Sequence, residues 1–553
     1  MTPETRASTP RPSLVEWICL VAGIALSVQY AWLLDDAFVY FRYVDNLVHL
    51  DLGLVYNRGE FVEGYSSPLW ALLLIALRAA GFGFWIAVRL VAVLAFAGTW
   101  WTLVRSNRLL SPAGARAWNL PLVLLTCNYA AVCYFTSGTE SPLVLLCGAA
   151  YALYILDPRV RWAGVVVALS PLVRHELALP LLALLAWTWF RQRRCPWRTA
   201  LGAGAALAAW MLFRIYYYAD LFPNTFYLKD QADPAQGLLY LRDTTGPYHL
   251  AGILALAIAL ACVLRARGRA DLRLAERAAM LACAGLVVAY VVRIGGDARH
   301  FRYLAFPFAL ALGAGGGLLE HALMELRGRE RIADLVGALG TLSLAAFTLA
   351  QHPDQLSGAP LLGPVEAEMI HGIADAEHHR IHPALPALDP WGSGAPVELL
   401  PAYAAWRAET SAAADEQEAP RLHERIAFDS ICWRIYAGFD RRAVQSLGLT
   451  EPFLARAAAR VNRPAHKKLK PAGRAVRDVL KWWGQDPGRG MFRAAVEAGV
   501  AEPWIEANLE TLEIIERKAY NRHALVENLA LALSFPPPIR GPEEVFGLAE
   551  PVR

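Results

Sequence analysis

Apolar residues along this chain gather in long blocks separated by short polar stretches. Blocks near 14–34, 84–104, 117–135, 141–156, 161–173, 177–190, 199–218, 248–265, 277–293, 303–319 and 333–350 each read as helix. A helix needs about 20 apolar residues to cross a bilayer, so the pattern predicts a polytopic α-helical membrane protein with about 11 spans. The run 66–80 has a short apolar core that ends in Arg78, which suits a juxtamembrane or re-entrant helix. If it does not cross, the arginine-rich loops fall on one side: Arg105, Arg108 and Arg116; Arg159 and Arg161; Arg191, Arg193, Arg194 and Arg198; Arg265 to Arg277; and Arg327 to Arg331. The positive-inside rule makes that side cytoplasmic. The remaining polar motifs all land on the opposite face.

After about residue 350 the pattern changes. Pro, Ala, Glu, Arg and His rise and apolar runs shorten, so 1–350 is expected to be the membrane domain and 351–553 a soluble external domain. Stretches 418–428, 470–483 and 503–530 read as helices or helix fragments, giving a mostly helical, mixed domain. The N-terminal segment carries Arg6 and Arg11 before the first block and lacks a small-residue cleavage pattern, so it is expected to remain as the first span.

Composition sharpens the class. Hydrophobic residues make up 56% and charged residues 18%, too apolar for an ordinary soluble enzyme. Lys+Arg 53 against Asp+Glu 49 leaves a formal +4, which gives no footprint for nucleic acid. The eight cysteines mostly lie in or beside apolar blocks and show no disulfide framework or zinc spacing. His371, His378, His379 and His382 cluster, but their spacing fits no zinc pattern and reads as a solvated loop.

The chemistry concentrates in Leu33 to Trp70, LLDDAFVYFRYVDNLVHLDLGLVYNRGEFVEGYSSPLW, directly after the first block. Two adjacent carboxylates, Asp35 and Asp36, stand at a membrane edge, where acids are costly and usually mark a site. One could cap the following helix; a second has no such task. Beyond them Ala37, Tyr40, Phe41, Val44, Leu47 and Val48 recur at helical spacing with Arg42, Asp45 and Asn46 opposite, which predicts an amphipathic helix along the membrane surface. Glu63 and Tyr65 follow among turn-forming glycines and, with Arg42, are candidate substrate contacts.

This stretch resembles the first external loop of the GT-C membrane glycosyltransferases, and within them the terminal arabinofuranosyltransferases of the mycobacterial cell wall and their bacterial relatives. The resemblance implies a sugar donor carried on polyprenyl phosphate and an acidic catalytic base, which Asp36 or Asp35 matches. Three further stretches carry it. Pro223-Asn-Thr-Phe-Tyr227 with Lys229 is similar to the family's external motif; Asn224, Thr225 and Tyr227 would bond sugar hydroxyls and Lys229 would offer charge to phosphate. The tyrosines before it, Tyr216 to Tyr218, read as an interfacial aromatic belt. Arg293-Ile-Gly-Gly-Asp297-Ala-Arg299-His300-Phe-Arg302 resembles a family GGD string followed by an arginine. Its external arginines would hold the carrier phosphate, because guanidinium matches phosphate bidentately and glycines admit close backbone approach. Gln445 to Lys468 resembles a C-terminal signature, in which Thr450 reads as a helix N-cap.

Two motifs stay open between roles. Glu140, after Ser137-Gly-Thr139, either orients a ligand or caps the next helix. Arg174-His-Glu176 either forms a local ion pair or contacts substrate, and it departs from the Arg-Pro-Glu-Gly of relatives.

The implied enzyme is a polyprenyl-phosphate-sugar-dependent glycosyltransferase of the bacterial inner membrane, with its site on the periplasmic face. It would move arabinofuranose to a cell-surface glycan, among membrane lipids. The phosphate is already a good leaving group, so a base and cations suffice. Paired carboxylates would suit a divalent cation such as Mg or Mn, but members of the superfamily differ in metal use and none is expected here. A lipid-linked sugar transporter or flippase is the rival reading. It would spread polar residues through the depth of its spans, whereas here they collect at one edge. A structural assembly subunit with the tail as docking module is a third.

Overall fold

In the computed structural model the residues described are 11–29, 33–34, 36–135, 137–193, 195–229, 232–269, 271–297, 301–326, 329–350, 426–429, 442–445, 449–457, 489–499, 501–540 and 545. Among the described residues the apolar blocks are largely helical. In chain order the helices are α1 (Leu14–Gln29), α2 (Ala37–Val48), α3 (Pro68–Ala79), α4 (Phe84–Leu110), α5 (Leu120–Cys127), α6 (Tyr129–Phe135), α7 (Ser141–Leu156), α8 (Arg161–Val173) and α9 (Ala178–Gln192). Then follow α10 (Trp197–Tyr218), α11 (Asn224–Leu228), α12 (Pro234–Thr245), α13 (Leu250–Ala266), α14 (Leu274–Ile294), α15 (Ala305–Gly315), α16 (Leu318–Leu323) and α17 (Glu330–Leu349).

Among the described residues five helical segments are long and apolar enough to span a membrane: α4, α10, α14, the stretch Arg302–Leu326 and α17. A sixth arises if α12 and α13, bent by 78° between them, count as one. The remaining apolar blocks are shorter or broken. Block 117–135 divides at Asn128 into α5 and α6, and block 303–319 is interrupted where Gly316 and Gly317 separate α15 from α16. The chain is a helical membrane protein. Its outward faces show this most plainly on α17, where Leu335, Leu339 and Leu342 lie exposed.

Helix α7 forms the centre. Nearly all its side chains are buried, and its small residues let neighbours approach closely: a Cβ on Gly148 would lie 2.7 Å from the Phe306 carbonyl oxygen of α15. The loops then separate into two ends. At one, Arg105 pairs with Asp157 (3.6 Å), Arg108 with Glu16 (2.6 Å), Arg116 with Asp334 (2.6 Å) and Arg269 with Glu325 (2.9 Å). All these arginines belong to the loops read together as the arginine-rich side. The other end gathers α2, the loop 51–67, Glu140, Arg174 and Arg302.

Helix α2 is not the surface helix its periodicity predicts. Residues Ala37 to Asn46 are all buried, the polar side included. The loop 51–67 folds over that side: Arg42 Nε donates to the Tyr56 carbonyl at 2.8 Å, and Asn46 Nδ2 to the Val55 and Tyr56 carbonyls at 2.8 and 3.0 Å. Asp45 meets Arg78 of α3 at 2.8 Å, and the Arg78 guanidinium lies 4.3 Å from the Phe84 ring centre. The alternation reports a helix with one apolar and one polar partner, and no exposed face.

The C-terminal stretch is only partly described. Its strands Ile426–Asp429 and Arg442–Gln445 pair in parallel, so the last part of the 418–428 helix prediction is strand; 418–425, 470–483 and the histidines 371–382 lie outside the described residues. Within 503–530 the helices Pro503–Glu506, Leu509–Ala519 and Leu525–Ala532 form. This part packs on the N-terminal helices and loops: Phe61 N–H donates to the Ala519 carbonyl at 2.7 Å, and Asn528 Nδ2 to that of Tyr216 at 2.7 Å. Thr450 does not cap the helix Pro452–Ala455; Glu451 holds that position and makes no side-chain cap.

Asp45 and Arg78 are both almost fully buried, and removing one partner of a buried pair costs about 3–5 kcal/mol. Arg78→Ala is therefore expected to lower the thermal unfolding temperature in detergent. The double replacement Asp45→Leu/Arg78→Met, which leaves no buried charge, recovers most of the loss.

Candidate active site

The site begins where four chain segments end at one depth. Asp36 precedes α2 and occupies its N-cap position without a side-chain cap bond. Glu140 likewise precedes α7 and makes no cap bond. Arg174 follows α8, and Arg302 opens a short 3₁₀ turn leading into α15. Gly138 (φ +75°) turns the chain so that Glu140 faces inward.

These four side chains form one chain of charges. Arg302 Nη1 donates to Asp36 at 2.5 Å, and its Nη2 to both Glu140 oxygens at 3.3 and 3.5 Å. Arg174 Nη1 donates to the same Glu140 at 2.9 Å and its Nε to Glu176. Tyr303 lies under the cations, with the Arg174 guanidinium 4.0 Å and the Lys229 ammonium 5.3 Å from its ring centre. Lys229 reaches the Tyr303 hydroxyl at 3.2 Å and Asp297 at 3.3 Å. Thus Asp36, Glu140, Arg174, Glu176, Lys229, Asp297 and Arg302, seven residues singled out from five separate motifs, meet in one network.

Access differs along it. The Glu140 side chain has no exposed surface and Arg302 only 8%, while Asp36 keeps 30%. Asp36 is the acid that a solvent-borne hydroxyl can reach. Among the described residues the buried Nε of Arg302 finds no hydrogen-bond partner, leaving a donor for a ligand. Burial alone would push the Glu140 carboxyl up, but Arg302 and Arg174 outweigh it and hold it below the usual carboxylate range. For Lys229, burial favours the neutral amine; Asp297 and Tyr303 overcome it and keep the ammonium charged.

The GGD turn shows why its glycines are there. Gly295 and Gly296 both take positive φ, and a Cβ on Gly296 would sit 2.4 Å from the Tyr240 ring. They shape the turn that presents Asp297 to Lys229. Arg293 of the same motif is exposed, and its carbonyl accepts from the Asp233 N–H at 2.8 Å. Asp35, Arg299 and His300 lie outside the described residues.

The other candidates build the frame around this network. Arg42 is held by Tyr56, as above. Glu63 pairs with Arg214 of α10, whose Nη2 also reaches His175 Nε2 at 2.9 Å. The Tyr65 hydroxyl meets that of Tyr218 at 3.0 Å, and Tyr218 in turn donates to the Leu54 carbonyl at 2.8 Å. Tyr218 is therefore buried loop packing; of the three tyrosines expected in an aromatic belt, Tyr216 is the exposed one. Asn224 is bonded within the protein: its Nδ2 donates to the Leu449 and Glu451 carbonyls at 3.1 Å each, and its Oδ1 accepts from Arg456 at 2.9 Å. Tyr227 donates to Asp220 at 2.5 Å beneath the Arg456 guanidinium. Thr225, beside them on α11, is half-buried. Asp220 ties this corner together, receiving Arg456 at 2.5 Å and Lys518 at 3.4 Å.

Four partners of these candidates receive no role from the motifs: Tyr303, Arg214, His175 and Asp220. A lone arginine inside an apolar helix, as at Arg214, was the visible signal, since such a charge needs a buried partner. Tyr303 had none beyond adjacency to Arg302. For a metal, among the described residues no three His, Cys, Asp or Glu side chains converge.

His175 carries a pH consequence. Burial and the neighbouring Arg214 and Arg174 lower its imidazole from 6.5 to about 3. The folded state holds it neutral while the unfolded chain takes a proton below about 6.5, so its contribution is complete above that pH and declines as pH falls toward 3. Melting temperatures recorded from pH 7.5 to pH 5 should fall for the wild type, and His175→Gln should flatten that slope.

Comparison with known proteins follows the same lines. The chain is 28% identical over 538 residues, 82% of its length and 83% of the relative's, to a protein of Mycobacterium tuberculosis named terminal β-(1→2)-arabinofuranosyltransferase. It is 30% identical over 342 residues, 51% of its length, to a Corynebacterium glutamicum protein of the same name, of which it spans about half, 47%. No family model and no solved structure matches the chain. Over most of its length, the chain is similar in sequence to a terminal β-(1→2)-arabinofuranosyltransferase.

Proposed function

We propose that the protein is a membrane glycosyltransferase that moves an arabinofuranosyl group from a polyprenyl-phosphate carrier to a hydroxyl of a cell-surface glycan. The observation that carries this reading is the meeting of a partly exposed carboxylate, Asp36, with the buried cations Arg302 and Arg174 and the half-buried Lys229 at one end of the helices. Transfer from a phosphate carrier needs those two functions together. Asp36 takes the proton of the acceptor hydroxyl while its oxygen attacks the anomeric carbon, and the carbon–phosphate oxygen bond breaks with its electrons leaving on the phosphate. Arg302 and Lys229 stabilise that charge. In the free protein Arg302 occupies Asp36; as carrier phosphate engages the guanidinium, the carboxylate loses its cation and becomes a stronger base. Asp35 stands next to it as the second candidate base, Arg293, Arg299 and His300 as further phosphate contacts, and Thr225 as a sugar contact. The described part of the tail, clamped on Asp220 and Asn224, forms one wall for the acceptor. The site faces the periplasm, as the arginine distribution indicates.

The test is transfer by purified protein in nanodiscs, offered labelled decaprenyl-phosphate arabinose and, separately, the mannose and glucose carriers, with arabinan acceptors. Turnover of the arabinose carrier is expected. Asp36→Asn should lower kcat by about 10²–10⁴-fold with donor binding kept, and Lys229→Ala should weaken donor binding. Full activity in Asp36→Asn removes the base assignment, and carrier crossing proteoliposomes without sugar transfer replaces the enzyme by a transporter.

A further inference from the structure

The other end of the helices holds a cavity of about 1260 Å³ between α8, α9 and the start of α10. Arg159, Arg161 and Arg198 line it, with Asp157 as the acid in its wall. That carboxylate is already shared: it meets Arg105 at 3.6 Å and accepts the Arg159 backbone N–H at 3.1 Å. Helices α8 and α10 both begin here, and neither N-cap residue, Val160 or Pro196, supplies a side-chain hydrogen bond. Helix starts carry positive partial charge and unsatisfied N–H groups, so arginines at Arg161 and Arg198 add like charge to like. An anion relieves both.

The shape selects the kind of anion. From Arg161 the wall continues along α8 through Val165 and Ala168 to Leu169, eight residues or about 12 Å at 1.5 Å per residue. Val165 (57%) and Leu201 (64%) are exposed beside it, so the cavity lies next to the outward apolar surface of the helices. A soluble anion has no use for such a wall; an acyl chain does. We infer that this cavity is a binding site for an anionic phospholipid, its headgroup phosphate on Arg159, Arg161 and Arg198 and an acyl chain along Val165, Ala168 and Leu169. It is separate from the proposed donor site, because α8 runs its full length of 13 residues, about 20 Å, between Arg161 and Arg174. The lipid would pin the starts of α8 and α10, the two helices that position Arg174 and Arg214 at the far end.

Native mass spectrometry of the full chain in a delipidating detergent tests this, with phosphatidylglycerol or phosphatidylcholine added back. Phosphatidylglycerol should be retained about tenfold or more over phosphatidylcholine, given the pull of each basic residue on an anionic headgroup. The triple variant R159A/R161A/R198A should fall to the phosphatidylcholine level, and millimolar inorganic phosphate should leave the bound lipid in place. If the triple variant elutes as aggregate, Arg161→Gln and Arg198→Gln taken singly decide, each expected to weaken retention severalfold. Equal retention of the two lipids, unchanged retention in the variants, or displacement by inorganic phosphate alone overturns the proposal.

Discussion

The structure turns on one buried carboxylate. Glu140 sits without solvent between two guanidiniums, Arg174 at 2.9 Å and Arg302 at 3.3 Å. Two arginines cannot be buried side by side without it, since their repulsion adds to the desolvation each already bears. Four segments must therefore end together: the start of α7 supplies the acid, the end of α8 and the start of α15 supply the cations, and the start of α2 supplies Asp36. The tight packing of α7 against α15 at Gly148 is what allows those ends to meet.

A second charged centre holds the frame. Asp220 gathers Arg456, Lys518 and Tyr227, joining the C-terminal stretch to α11 just after α10. Asn224 adds three more bonds across the same seam. The loop 51–67 is held between this seam and α2, with Glu63 on Arg214 and Tyr65 on Tyr218. These bonds fix the loop, while Asp36 keeps an exposed edge beside Arg302.

The two ends of the helices share one logic. At each, charge is concentrated where helices start or stop, because only there can a polar group avoid the apolar depth between. At the Asp36 end acids and bases nearly balance and satisfy one another. At the Arg161 end the guanidiniums outnumber the carboxylate in the cavity wall, and balance comes from outside the chain.

The sequence by itself determined the helices, the membrane class, the relationship to arabinofuranosyltransferases and most members of the charge network, Asp36, Glu140, Arg174, Lys229, Asp297 and Arg302 among them. Those properties are local: an apolar block desolvates as a unit, and a carboxylate at its end is costly wherever the block goes. Only the tertiary structure decided which charges meet. The polar side of α2 looked solvent-facing because periodicity records that Arg42, Asp45 and Asn46 share a side, and says nothing of the loop that covers them. Asn224 reads as a hydroxyl contact from its type; only the fold brings Arg456, 232 residues away in sequence, onto its side chain. Glu140 could have capped α7, and it faces two arginines because the end of α8 and the turn before α15 reach it. Pairing across such separations depends on the rotation and height of each packed helix, quantities set by the whole core.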